Sequence, residues 1–507
     1  MDVTTEILVK GGLSLCAVVA LVWRHRRPGA LQSEQAGAML WTLAVLAVLA
    51  WPNFGRLHGA SGIHHWEQFH YFLGSKYFPE LGYDGIYAAS LAAEREIGLG
   101  HGPQSHVRDL RNNVVVQTPG TVAFQRQVKE RFSEARWHAF RDDVAYFLSS
   151  NRYEYITRVR LDHGYNPTPT WTFVARLFSS WAPAGDGSLA LLAWLDPLLL
   201  AVMFTMLFRT FGSRVGCMAL IVFGLGYPWR FDWVGGAFLR QDWLAAVGVA
   251  VCLIKRGRFS GAGLLVAYAT MVRVFPGAFL VGPAVLAVRQ LVQTRRAPRW
   301  ALALFGAFLV GVVLCSGVGC ITGRGAAAWT EFAGNLEKHS GTWLTNNVGM
   351  KNLLLYDVDT LTRKDVNFRL PEPWLLWQAK MNQREEQRKA VFLLVAGLLL
   401  AVIVVASLRL EIWQASVLGL AVVFVAVLLT CYYWAMLCLL PLGRGRWGPT
   451  AAWLGLNVGL FALHLMTPAF EMIYGCMSLM LLLFFIAWIG PDAWRSIRKL
   501  TGPRPTA

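Results

Sequence analysis

Residues 390–408 read AVFLLVAGLLLAVIVVASL, a run with no charged side chain. At about 1.5 Å of rise per residue, a helix of this length crosses the ~30 Å of hydrocarbon in a bilayer. Residues 448–489 are apolar over most of their length and long enough for two crossings. Across 507 residues, 55% are hydrophobic, too many for the surface of a soluble chain of this size. The alternating polar–apolar strands of an outer-membrane barrel are absent from the sequence. The expected fold class is therefore all-α, a polytopic integral membrane protein.

The formal charge of +17 sits mainly in short clusters beside apolar runs: RHRR at 24–27, KRGR at 255–258, RRAPR at 295–299, GRGR at 443–446 and RSIRK at 495–499. Lysine and arginine collect in cytoplasmic loops, so these clusters fix a topology; they do not form a nucleic-acid stripe. Alternating crossings from 6–23 to 470–489 give about 13 spans, starting with the N-terminus outside. Because its basic residues follow the apolar run, 6–23 is expected to be a membrane helix and not a signal peptide. The chain then divides into two N-terminal helices (1–52), a first external region (53–187), a transmembrane core (188–321), a second external region (322–388) and C-terminal helices with a cytoplasmic tail (389–507). The segment after 165–171 could add a short or re-entrant span. In 121–150, apolar residues recur at helical spacing, which predicts an interfacial amphipathic helix. The eight cysteines lie in or beside apolar runs without a CxxC pair and read as packing residues.

Both polar regions fall on the same face, and the first begins with HHWEQFHYFLGSKYFPELGYDGIY (64–87). A carboxylate near the membrane surface in a half-dry crevice has a raised pKa, which suits a general base. Glu67 is the candidate; Asp84, in a turn-like context, and Glu80 are weaker ones. Arg240, Gln241 and Asp242 stand at the outer end of one span and Arg273 at a hairpin tip, where a guanidinium needs water or an anion. In 337–354, Lys338 and His339 are donors for an anion, and Asn346 and Asn347 can hold hydroxyls. Tyr432, Tyr433 and Trp434 read as an aromatic belt. The sequence carries no metal motif, P-loop, GxGxxG or nucleophile elbow.

Four stretches in order carry a resemblance: EQFHYFLGSKYFPELGYDGIY (67–87), YNPTPTWTFVARLF (165–178), RQDW through FLVGP (240–283), and NNVGMKNLL (346–354) with YYWAMLCLLPL (432–442). The chain resembles the GT-C superfamily glycosyltransferases, and within them the bacterial polyprenyl-phosphate-mannose-dependent α-mannosyltransferase-like family. Glu67 stands where that family usually has Asp, and Arg273 where it has Lys. The resemblance implies transfer of a hexose such as mannose from a polyprenyl-phosphate sugar donor to a lipid or glycan acceptor. It places the site on the periplasmic or extracellular side of a bacterial inner membrane, among membrane lipids and with no nucleic-acid partner. Glu67 would be the catalytic base. Arg273, Arg240, Lys338 and His339 would hold the donor phosphate, and Tyr71, Tyr83, Asp84, Gln241, Asn346 and Asn347 would line the substrate pocket. No metal or other cofactor is called for, although carboxylates alone can recruit a loosely held divalent cation. The alternatives are a lipid or solute transporter or flippase, and a non-catalytic envelope-assembly protein on the same fold. A transporter would carry inverted repeats and mid-membrane charges.

Overall fold

The computed structural model describes residues 3–26, 34–58, 62–98, 104–149, 153–357, 364–443 and 447–501. Among these, seven helices are long and apolar enough to cross a membrane: Val3–Trp23, Asp186–Phe211, Phe275–Thr294, Arg299–Thr322, Leu375–Ser407, Trp447–Met466 and Phe470–Arg498. The remaining expected crossings are shorter apolar helices, among them Gly37–Ala50, Ser213–Leu225, Phe259–Arg273, Ile412–Ala426 and Cys431–Leu442. Length separates the two kinds by position. The long helices leave large apolar side chains exposed, such as Val313 at 71% and Leu394 at 66%. Most residues of Asp242–Lys255 and of Cys431–Leu442 are buried inside that shell. Cys431–Leu442 is a 3₁₀ helix, unusually long for its type and closed by Pro441. Surrounding protein shields its backbone, the condition under which non-α backbone is tolerated at membrane depth.

Residue 27 of RHRR lies outside the described residues, and the basic clusters at 255–258 and 295–299 lie at one end of the bundle. There Phe211 stacks on Trp413 with ring centroids 5.1 Å apart, and the Lys255 ammonium lies 4.7 Å from the same Trp413 ring. Trp300 Nε1 donates to Gln290 Oε1 over 3.0 Å, and Arg289 donates to the Leu408 carbonyl. Of the GRGR cluster, 444–446 lie outside the described residues. The opposite end carries both polar regions. Lys10 Nζ there donates to Asn53 Oδ1 over 2.6 Å, and Thr170 Oγ1 to the Cys315 carbonyl over 2.9 Å.

The first polar region has its own core. The apolar stripe predicted to lie on the membrane is buried instead: Phe124, Val128, Phe132, Phe140, Val144 and Phe147 are all under 10% exposed. Five of them belong to two helices, Val122–Lys129 and Glu134–Phe147, which pack on helix Ile86–Ile97, and Phe132 lies in the turn between the two. Tyr77 meets Phe140 edge-on at 5.0 Å, and the Tyr77 hydroxyl donates to Asp143 over 2.7 Å. Intramolecular aromatic partners thus take the surface that a bilayer would have taken. A two-stranded hairpin, His106–Asp109 with Val114–Gln117, lies beside this unit, and its alternation is too short to read from sequence. A second small ladder pairs Asn347–Val348 with Leu429–Thr430 and fastens the second polar region to the bundle. The segment after 165–171 forms only the short helix Pro169–Ser179. Helix Leu375–Ser407 runs unbroken through the expected boundary at 388; at 33 residues it is about 50 Å long, so a large part projects beyond the hydrocarbon.

Small residues set the closest helix contacts. A Cβ added at Gly224 would meet the Ala47 carbonyl oxygen at 2.2 Å, whereas one at Gly306 would meet nothing within 4 Å. Gly224→Val is expected to cost ~1–3 kcal/mol through overpacking. It will lower the unfolding temperature in detergent micelles while Gly306→Val leaves it unchanged; equal temperatures for both variants would contradict this packing.

Candidate functional site

The segment around Glu67 is held by one glycine turn. The Gly236 carbonyl accepts from the His64 amide over 3.0 Å and from Gln68 Nε2 over 3.3 Å. Gly236 has φ +76°, and a Cβ there would meet the Gly62 carbonyl oxygen at 2.2 Å, so only glycine fits. His64 Nδ1 caps the short helix His65–Gln68 by accepting from the Glu67 amide over 3.3 Å. The chain continues directly into a π-helical turn, Phe69–Leu73, a device that re-aims side chains and recurs at functional sites. Tyr71 lies in that turn. Trp66 Nε1 donates to Asp162 Oδ2 over 2.7 Å and ties the segment to the loop that follows helix Tyr153–Val159.

The arginines reach Glu67 from two other elements. Leu239 adopts φ +51°, a strained conformation for a leucine, immediately before Arg240. The amides of Arg240 and Gln241 both donate to the Asp196 carboxylate, each over 2.9 Å. Arg240 Nε then lies 2.8 Å from Glu67 Oε2, with the two side chains only 3% and 14% exposed. Its guanidinium stacks over Tyr71 at 4.4 Å and Tyr432 at 5.4 Å from the ring centroids. Arg273 ends helix Phe259–Arg273 where Val274 takes φ 59°. Arg273 Nη2 donates to the Leu239 carbonyl over 3.3 Å, and Trp171 Nε1 donates to the same carbonyl over 2.8 Å. Two strained residues therefore adjoin the two arginines, the placement expected where structure is over-determined for a purpose.

The electrostatics follow from burial. Loss of water pushes the Glu67 carboxyl above its usual range; Arg240 opposes the shift, Asp162 adds to it and Arg273 again opposes it. Arg273 Nε, Gln241 Oε1 and Asp242 Oδ1 are buried without a hydrogen-bond partner among the described residues. Buried polar atoms are nearly always partnered, so such a group beside an ion pair points to a bound polar ligand. Helix lengths recess the nest. Asp242–Lys255 and Phe259–Arg273 have 14 and 15 residues, about 21–23 Å, against ~30 Å of hydrocarbon.

The structure therefore brings together Glu67, Tyr71, Arg240, Gln241 and Arg273. It does not bring the other candidates to them. Lys338, Tyr83 and Asp84 line a separate cleft of about 580 Å³. Asp84 faces Arg131 there at 3.7 Å, and Lys338 donates to the Leu110 carbonyl. His339 packs edge-on against His163 at 5.9 Å. Asn347 is buried in the small ladder, and Asn346 lines a third cleft beside Trp66. Glu80 forms a forked ion pair with Arg136 at 2.6 and 3.0 Å, a structural role. The predicted belt is also corrected: Trp434 is fully buried, and Tyr432 packs on Arg240. Sequence reasoning missed Trp171, Asp162 and Asp196. Pro169 and the capping Thr168 announce a helix start that presents Trp171, a signal available in YNPTPTW. Among the described residues no group of three or more His, Cys, Asp or Glu side chains is placed to hold a metal.

Removing one partner of a buried ion pair costs ~3–5 kcal/mol. In Arg240→Met, Glu67 keeps its burial and loses its main opposing charge, so its folded pKa stands further above the unfolded value of about 4.3. Ionisation of Glu67 then costs stability, a cost absent below the unfolded pKa and growing as pH rises through the folded one. Thermal unfolding of Arg240→Met is expected to show a deficit that shrinks toward pH ~4 and is partly relieved by adding Glu67→Gln; a pH-independent deficit would refute the pairing. Compared with family models, curated proteins and solved structures, the chain matches none.

Proposed function

We propose that the chain is a membrane glycosyltransferase that moves a hexose from a polyprenyl-phosphate donor to an acceptor hydroxyl on the non-cytoplasmic face of a bacterial inner membrane. The observation that carries this reading is the convergence of one carboxylate and two guanidinium groups, Glu67, Arg240 and Arg273, in one recessed and largely dry nest. The positive-inside rule, applied to the basic clusters at 255–258 and 295–299, supports an outer position for the nest. In this reading the shorter helices complete about 13 crossings.

The chemistry follows from the groups present. Glu67 takes the proton of the acceptor hydroxyl as its oxygen attacks the anomeric carbon. The bond from that carbon to the phosphate oxygen breaks, and the lipid phosphate leaves with the electron pair. Arg273 and Arg240 face the charge that develops on it, and fixed cations in a dry site stabilise such charge strongly. A guanidinium matches phosphate oxygens as well as carboxylate oxygens. A bound donor therefore competes with Glu67 for Arg240, and winning that competition frees the base. Before the donor binds, Arg240 and Glu67 offset each other's charge, while Arg240 Nε and Glu67 Oε2 remain without a well-formed hydrogen bond among the described residues. Concentration of the buried charges toward one end of the bundle favours this reading over a transporter, whose charges belong at mid-membrane.

Transfer of labelled sugar from a polyprenyl-phosphate donor, measured in membranes, tests the assignment. Glu67→Gln is expected to lose about 10²–10⁴-fold in rate, the contribution typical of a positioned general base. The wild-type rate is expected to fall on acidification with a midpoint above the ordinary glutamate value of about 4.3, because burial raises Glu67. Undiminished transfer by a well-expressed Glu67→Gln would exclude Glu67 as the base.

A further inference from the structure

A cleft of about 720 Å³ lies between the two polar regions. One wall comes from 104–108 and 157–163, the other from 343–346 and 370–378. Four tryptophans line it: Trp66, Trp233, Trp343 and Trp374. Trp343 is buried, while Trp66, Trp233 and Trp374 are half-buried. Between them stand the planar polar side chains of Asp162, Asn346 and Gln378.

The formal charges lining this cleft cancel, Arg108 and Arg158 against Asp162 and Glu372. Arg108 pairs with Glu372 at 3.0 Å across the two regions, and the Asp162 carboxylate accepts from Trp66. An anionic polymer therefore meets no excess of cations, and the polar groups would repel an acyl chain. What remains is suited to a neutral, hydroxyl-rich ligand. Indole faces accept the apolar faces of sugar rings, and carboxylate and carboxamide groups serve adjacent hydroxyls. Trp233 Nε1 is a buried donor without a partner among the described residues, a second sign of an absent polar ligand.

The cleft also adjoins the nest. Trp66 is the residue next to Glu67, and Asp162 is near enough to Glu67 to raise its carboxyl. We infer that this cleft binds a neutral oligosaccharide and presents one of its hydroxyls to Glu67, so that the acceptor is a glycan chain. The inference rests on the proposed transferase only for the fate of the bound sugar; binding itself is independent of it.

Saturation-transfer NMR on the full chain in nanodiscs, with linear neutral mono- to pentasaccharides as probes, tests it without any donor. Binding is expected to strengthen with length and to persist in Glu67→Gln. It is expected to weaken about tenfold in Trp374→Ala and to be largely kept in Trp374→Phe, which retains a ring face. Absence of saturation on the folded wild type, or equal binding by Trp374→Ala, overturns the inference. Sugar transfer to a lipid acceptor without oligosaccharide binding overturns it too and leaves the transferase reading standing. Oligosaccharide binding with no transfer from any polyprenyl-phosphate sugar supports the cleft and overturns the transferase reading.

Discussion

The Asp196 carboxylate accepts two consecutive backbone amides, those of Arg240 and Gln241, and the rest of the nest depends on that grip. Asp196 stands near the start of helix Leu195–Phe211, and the amides begin helix Asp242–Lys255. The double hydrogen bond satisfies donors that a helix start leaves free and fixes the left-handed turn at Leu239. With that turn fixed, the Leu239 carbonyl faces Trp171 and Arg273, and the Arg240 side chain faces Glu67. A buried charge is tolerable only when paired, so each member of this chain of contacts makes the next one affordable.

Shape supports the same arrangement. Long outer helices meet lipid, while short inner ones stop below the surface and leave a polar floor. A charged site at this depth is kept from water without being carried to the middle of the bilayer, where the cost of a charge is greatest. The first polar region closes over it with its own aromatic core and internal ion pairs, including Lys76 with Asp143 at 2.7 Å.

Much of this was legible in the sequence because membrane helices declare themselves by composition. The run 390–408 and the break at Val274 are local signals, and a long helix and a helix end lie there. The stripe in 121–150 misled for a physical reason: helical spacing of apolar residues says that a face is buried, not whether lipid or protein buries it. Glu67, Arg240 and Arg273 could be singled out because a charge beside an apolar run is conspicuous. Asp196 sits inside a hydrophobic helix and Asp162 in an ordinary polar loop, and their importance comes from contacts across 44 and 96 positions of chain. Lys338 and His339 misled in the opposite sense: they are half-buried in the last turn of helix Ala327–Ser340, and two adjacent donors in a sequence carry no record of which cleft they face.

Helix Leu375–Ser407 is at once an apolar rod long enough to span a bilayer and, through Gln378 at its start and Trp374 just before it, part of one wall of the tryptophan-lined cleft. A rigid rod couples its two ends. Leaning it by about 5° around its membrane-embedded half displaces the tryptophan by roughly 2 Å. A change of bilayer thickness that tilted this helix would therefore also alter the width of the cleft, with no change in the side chains that line it.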